Sequence, residues 1–124
     1  RFSPAIEVIA QEAANLKPRR QECFTKGGTA SPSCMYGGSR LRAILIGDSH
    51  ADAVTTGLAA AVPSTTDGIM DWSYVSCPTL LGVKNLSPKY RPDEKCGDFL
   101  SWMVKKLTDV PKDIPLVIVN RTTT

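Results

Sequence analysis

The chain has 124 residues, 42% of them hydrophobic and 22% charged, and a formal net charge of +3. That is enough polypeptide for one domain with a real core. The slight basic excess is scattered, with no dense basic stripe interleaved with aromatics, which argues against a nucleic-acid partner, and no apolar run approaches the ~20 residues that span a bilayer.

Arg1-Phe2-Ser3-Pro4 does not open a secretory signal, so the chain reads as a piece of something longer. Residues 4–16 read as a helix, with Ser3 as cap, Pro4 in the first turn and Glu7 closing a capping box. Ile6, Ile9, Ala10, Ala13 and Leu16 form one stripe at helical spacing. This predicts a packing or linker helix, with residues 1–19 set apart from a domain over 20–124. Residues 17–40, with four glycines, two prolines and several serines, read as a loop. Within and just after it, Arg19, Arg20, Arg40 and Arg42 are read as a solvated basic surface, or as contacts for an anionic glycan or lipid head group.

The next stretch carries the chemistry. Ala43-Ile44-Leu45-Ile46 is a short, continuously apolar run, as expected of a strand buried on both faces in a parallel sheet. It stops at Gly47-Asp48-Ser49-His50, and residues 51–62 then read as a helix. Ser49 therefore stands at the carboxyl end of a strand, where open α/β sheets place their ligands. Gly47 permits the tight turn, and the helix N-terminus directs free N–H groups and the positive dipole end at a developing oxyanion. Helix capping by Asp48 or Ser49 is the structural alternative.

Residues 69–75 alternate apolar with polar and read as a second strand. Its following loop, Ser76-Cys77-Pro78-Thr79-Leu80-Leu81-Gly82, is expected near Ser49, because consecutive parallel strands deliver their loops to the same edge. Residues 83–97 read as a polar loop in which Asp93 and Glu94 are surface acids. Residues 98–107 form an amphipathic helix with Phe99, Met103 and Leu107 on one face and Trp102 beside them. Leu116-Val117-Ile118-Val119 reads as a third buried strand, followed by Asn120-Arg121. The order is βαβαβ, with one sheet edge left open.

Four cysteines without a Cys-x-x-Cys pair, and a single histidine, do not suit a zinc site. No metal or other cofactor is expected. Two disulfides are the better reading and imply an oxidising compartment, the periplasm or cell exterior. Three connectivities exist; proximity favours Cys23–Cys34 with Cys77–Cys96.

Gly47-Asp48-Ser49-His50 after an apolar strand resembles the first block of the SGNH (GDSL-like) hydrolase superfamily. More narrowly, the chain resembles the SGNH domain attached to bacterial membrane acyltransferases that O-acetylate O-antigen or peptidoglycan. Cys23 and Cys34 ahead of the strand, the Ser76–Val83 loop, and Cys96-Gly97-Asp98-Phe99 opening a helix carry the narrower match over roughly residues 20–121. The resemblance implies a three-layer flavodoxin-like α/β fold with a parallel sheet, incomplete here at about three strands. It favours the same two disulfides, and a soluble periplasmic domain joined to an upstream membrane acyltransferase.

For the site, the resemblance implies that Ser49 is the nucleophile and a backbone oxyanion donor, with Asp48 supporting the turn. Gly82 and Asn120 are candidate oxyanion donors. Arg121 is a candidate site residue, as an anion clamp or a buried ion pair, since related acyltransferase-attached domains often carry Ala-Arg where this chain has Asn-Arg. The implied function is O-acyl, and in particular O-acetyl, transfer or hydrolysis on a cell-surface carbohydrate. The alternative is a non-catalytic glycan-binding or interaction module on the same scaffold. One departure is large: the family's Asp-x-x-His block, which supplies the base and its orienting acid, is not among these residues. His50 adjoins the serine, and neighbouring side chains at a turn into a helix do not face each other. The chain is therefore expected to be an N-terminal piece of a larger domain, inactive alone.

Overall fold

A computed structural model describes residues 3–82 and 95–121. The polar loop read over 83–97, with Asp93 and Glu94, lies mostly outside the described residues. The elements are α1 (Pro4–Gln11), α2 (Arg20–Cys23), β1 (Cys34–Gly37), β2 (Arg40–Gly47), α3 (Ser49–Ala60), β3 (Asp67–Ser73), α4 (Cys96–Leu107) and β4 (Leu116–Val119). One sheet has the order β1-β3-β2-β4, with β2 parallel to both β3 and β4 and β1 antiparallel to β3.

The apolar run on β2 explains the layering. Ile44 and Ile46 point to one face, where they meet Trp72, Tyr74, Phe99, Leu100 and Met103. Ala43 and Leu45 point to the other, with Cys23, Tyr36, Ala51 and Ile69. A strand buried on both sides needs apolar residues at every position, and that is what this stretch supplies. Helix α4 covers the first face, held by a stack in which the Tyr74 and Phe99 rings lie 4.7 Å apart and Phe99 and Trp102 lie 5.6 Å apart. Helix α3 covers the second. The result is a helix–sheet–helix sandwich with a mostly parallel sheet.

Several expectations need correction. The loop read over 17–40 contains α2 and β1. Gly37 and Gly38 mark a close crossing of two backbones: a Cβ on Gly38 would stand 2.1 Å from the Thr66 carbonyl carbon, and one on Gly68 1.9 Å from the Gly38 carbonyl oxygen. The helix read over 4–16 ends at Gln11 and continues as a 3₁₀ turn over Glu12–Ala14. Ser3 makes no side-chain cap, and none of α1 is buried; Ile6, Ile9 and Leu16 are exposed. The stripe is therefore not packed on this domain. Strand β4, expected buried, is an edge strand whose Leu116 and Ile118 are exposed. Strand β3 is buried on both faces rather than alternating, and two of its acids, Asp67 and Asp71, are inside.

The disulfides are Cys23–Cys34 and Cys77–Cys96. The first ties α2 to β1, the second the loop after β3 to the start of α4. Among the described residues no helix is long and apolar enough to cross a membrane.

Candidate active site at the carboxyl edge of the sheet

The three parallel strands end level with one another. Gly47 of β2 is paired with Ser73 of β3 on one side and with Val119 of β4 on the other. The segments that follow, carrying Ser49, the 76–82 loop and Asn120, therefore leave the same edge. Gly47 is required there: a Cβ at this position would lie 1.8 Å from the Val119 carbonyl oxygen. Only a glycine lets the end of β4 pass so close to the turn.

Asp48 braces the junction. Its Oδ1 accepts the His50 backbone N–H at 2.8 Å and caps α3. Its Oδ2 accepts the Arg121 backbone N–H at 2.7 Å. One carboxylate thus fixes the start of α3 to the chain leaving β4. Because Asp48 takes the His50 N–H, the Ser49 N–H is left without a partner among the described residues, at the positive end of the helix. Ser49 itself is exposed, at the first position of α3.

Asn120 is oriented by a residue to which the sequence reading assigned no role. Thr79 donates to Asn120 Oδ1 through both its backbone N–H and its hydroxyl, each at 3.2 Å. With its carbonyl occupied, Asn120 keeps its Nδ2 donor without a partner among the described residues. Arg121 is held through its backbone; its side chain is exposed and forms no ion pair among the described residues, which removes the buried-pair reading. Gly82 sits in an exposed turn with φ 76°, where a Cβ would meet nothing within 4 Å. The turn's backbone alone accounts for a glycine there. His50 turns back on the brace, its Nδ1 3.0 Å from Asp48 Oδ1, with an exposed ring.

A buried charged cluster borders the same cleft. The Lys17 ammonium is buried between Asp52 of α3, 2.6 Å away, and Asp71 of β3, to which it donates a hydrogen bond. Arg20 Nε reaches the other Asp52 oxygen at 2.5 Å. The Phe24 and Tyr36 rings lie 5.7 and 5.3 Å from the Lys17 ammonium. Tyr36 donates its hydroxyl to the Pro18 carbonyl at 2.9 Å, and burial pushes its pKa up. Of the four arginines read as a basic surface, Arg20, Arg40 and Arg42 pair with Asp52 or Asp67, while Arg19 donates to the Met35 carbonyl. A cleft of about 310 Å³ opens between this cluster and Ser49. Among the described residues no group of three or more His, Cys, Asp or Glu is placed to hold a metal ion.

No curated protein and no solved structure matches the chain. The family model described as the SGNH domain fused to AT3 domains matches residues 20–124. That family is of the acyl-ester hydrolase and acyltransferase type. With the match running over most of the chain, and with Ser49 on the turn from a parallel strand into a helix, the chain belongs to the family of SGNH domains fused to AT3 domains.

Proposed function

We propose that this domain performs acyl-ester chemistry through Ser49, transferring or hydrolysing an O-acyl group, in particular O-acetyl, on a cell-surface carbohydrate. The observation that carries this reading is the shared edge. Ser49, exposed at the first position of α3, has a backbone N–H without a partner among the described residues, and Asp48 ties that turn to the segment bearing Asn120. Ser49 Oγ attacks the ester carbonyl carbon, and its proton passes to a general base. The tetrahedral oxyanion is held by the Ser49 N–H and Asn120 Nδ2, amide donors that do not titrate. Collapse breaks the ester bond and releases the alcohol. Water or a sugar hydroxyl then takes the acyl group from the serine. Gly82 is a further candidate backbone donor, and Arg121 a clamp for an anionic part of the substrate.

The one histidine, His50, has its Nδ1 against Asp48 and makes no hydrogen bond to Ser49 among the described residues, so the base is sought elsewhere. We place it in an Asp-x-x-His block joined to this chain, and the domain itself outside the cytoplasm. The two disulfides and the family's fusion to AT3 domains support that placement and an acyltransferase neighbour. In a protein carrying that block, Ser49→Ala abolishes release of p-nitrophenol from p-nitrophenyl acetate; retained turnover overturns the assignment. The polar lining of the cleft beside Ser49 also suits a second reading, glycan binding without chemistry. A serine-directed fluorophosphonate separates the two, since the enzyme forms an adduct at Ser49 and a binding module does not.

A further inference from the structure

We propose that the segment from Glu12 to Lys17 is a fixed wall of the Ser49 cleft, and that Glu12 and Asn15 on it select a hydroxyl-rich carbohydrate over other esters. The segment precedes residues 20–124, the part matched by the family model, so the match assigns it nothing. The inference rests on the reading of Ser49 as nucleophile for its kinetic arm, but not for its binding arm.

The segment is not a loose tail. Lys17 enters the fold at its downstream end, with its ammonium buried between Asp52 and Asp71. Withdrawing it would strand the Asp71 carboxylate in the interior and leave Asp52 with Arg20 alone, which is far more costly than breaking a surface contact. The Tyr36 hydroxyl holds the next residue, Pro18, by its carbonyl. The backbone leading into Lys17 is therefore pinned. Asp52, one of the two acids that pin it, lies on α3 three positions after Ser49 and lines the same cleft.

Upstream of that anchor, the 3₁₀ turn over Glu12–Ala14 and the residues after it bring Glu12, Asn15 and Leu16 to the cleft that Ser49 also lines. Asn15 Nδ2 donates to Glu12 Oε2 at 2.8 Å. Together the pair offers a carboxylate acceptor, an amide donor and an amide acceptor side by side. Neighbouring sugar hydroxyls each donate and accept, and such a pair complements them. Leu16 adds an exposed apolar patch for the C–H face of a ring. At about 310 Å³ the cleft lies at the lower end of small-molecule sites. That suits one sugar-sized group. A long acyl chain would find only Leu16 and Ala53 as apolar lining, among polar and charged neighbours.

Two arms test this in the full chain carrying its Asp-x-x-His block, with the exposed double substitution Glu12→Ala with Asn15→Ala. The kinetic arm reads the ratio of kcat/KM for 6-O-acetylglucose to that for p-nitrophenyl acetate. The ratio falls about tenfold, the scale of one or two lost hydrogen bonds to a neutral ligand. A ratio equal to the parent's overturns the proposal. The binding arm uses Ser49→Ala protein titrated with 6-O-acetylglucose and followed by NMR shifts. Adding the double substitution weakens Kd by a similar factor; unchanged Kd, or no binding by Ser49→Ala protein with the wall intact, overturns it. If Ser49 is not the nucleophile the kinetic ratio no longer reports on this cleft, while the binding arm still decides the role of the wall.

Discussion

Asp67 and Asp71 stand on one strand four residues apart, and both are shut off from solvent, at 2% and 0% exposure. They differ in the cation each one meets. Asp71 is paired with Lys17, whose side chain is itself 2% exposed. Asp67 is paired with Arg40 and Arg42, whose side chains are 66% and 53% exposed. Water can take over the role of Arg40 when that partner is removed, but it cannot readily reach the place of Lys17. The consequence of breaking each pair is thus set by the more accessible partner, although the two acids look alike. Arg20 on Asp52 falls between, with a side chain 31% exposed.

The contrast is broken most directly at Lys17. Lys17→Met keeps the length and apolar stem of the side chain and removes the charge between Asp52 and Asp71. The expected loss is about 3–5 kcal/mol, the scale for stranding one side of a buried ion pair. It is read from the urea midpoint of parent and variant at fixed m. Adding Asp71→Asn recovers part of the loss, because the charge left without a cation is gone while Asp52 keeps Arg20. A loss under about 1 kcal/mol for Lys17→Met would put this pair in the class of surface contacts, and the difference between the two aspartates would vanish.

Arg20→Gln sharpens the middle of the gradient. Asp52 retains Lys17, and solvent reaches the vacated site, so the loss should be about 1 kcal/mol. Raising the salt concentration should shrink it, since a partly exposed pair is screened and a buried one is not. A loss as large as that of Lys17→Met would mean that exposure of the partner does not govern the ranking.

How far this arrangement could be read in advance differs along the chain. Strand β2 and helix α3 were legible because a continuous apolar run followed by Gly-Asp-Ser-His leaves few ways to fold. Level strand ends then follow from parallel pairing, and they bring Ser49 and Asn120 to one edge. Strand β1 was hidden because it is four residues long and ends in the glycines that a close backbone crossing demands, which read as loop. The stripe on α1 showed an apolar face but not what covers it, and no part of it is buried here. Lys17 was the deepest miss. Lys17-Pro18-Arg19-Arg20 reads as a solvated basic run, and its partners are distant in sequence. A signal was nevertheless present in those partners: Asp52 within Ala51-Asp52-Ala53-Val54, and Asp71 within Ile69-Met70-Asp71-Trp72. Acids set in apolar runs call for a buried cation. Thr79 carried no comparable signal, since nothing local distinguishes it from any loop threonine.

The weakest member of the series is also the one whose pH dependence has a definite sign. The hydrogen bond from Arg40 holds the Asp67 carboxyl below its usual pKa of 3.8, with the Arg40 and Arg42 charges adding to it and burial opposing. The folded state therefore favours the carboxylate more than the unfolded chain does. The resulting stability is present above the unfolded value and is lost as pH falls through the lower folded one. Arg40→Gln removes the main cause. At pH 7 it should lower Tm by less than either Lys17→Met or Arg20→Gln. As pH falls below about 4 the gap between parent and variant should narrow, because protonation of Asp67 removes the same interaction from both. Thermal melts across that range check it. A gap that stays constant down to pH 2.5 would mean that Arg40 stabilises the start of β3 through packing of its stem rather than through the carboxylate it faces.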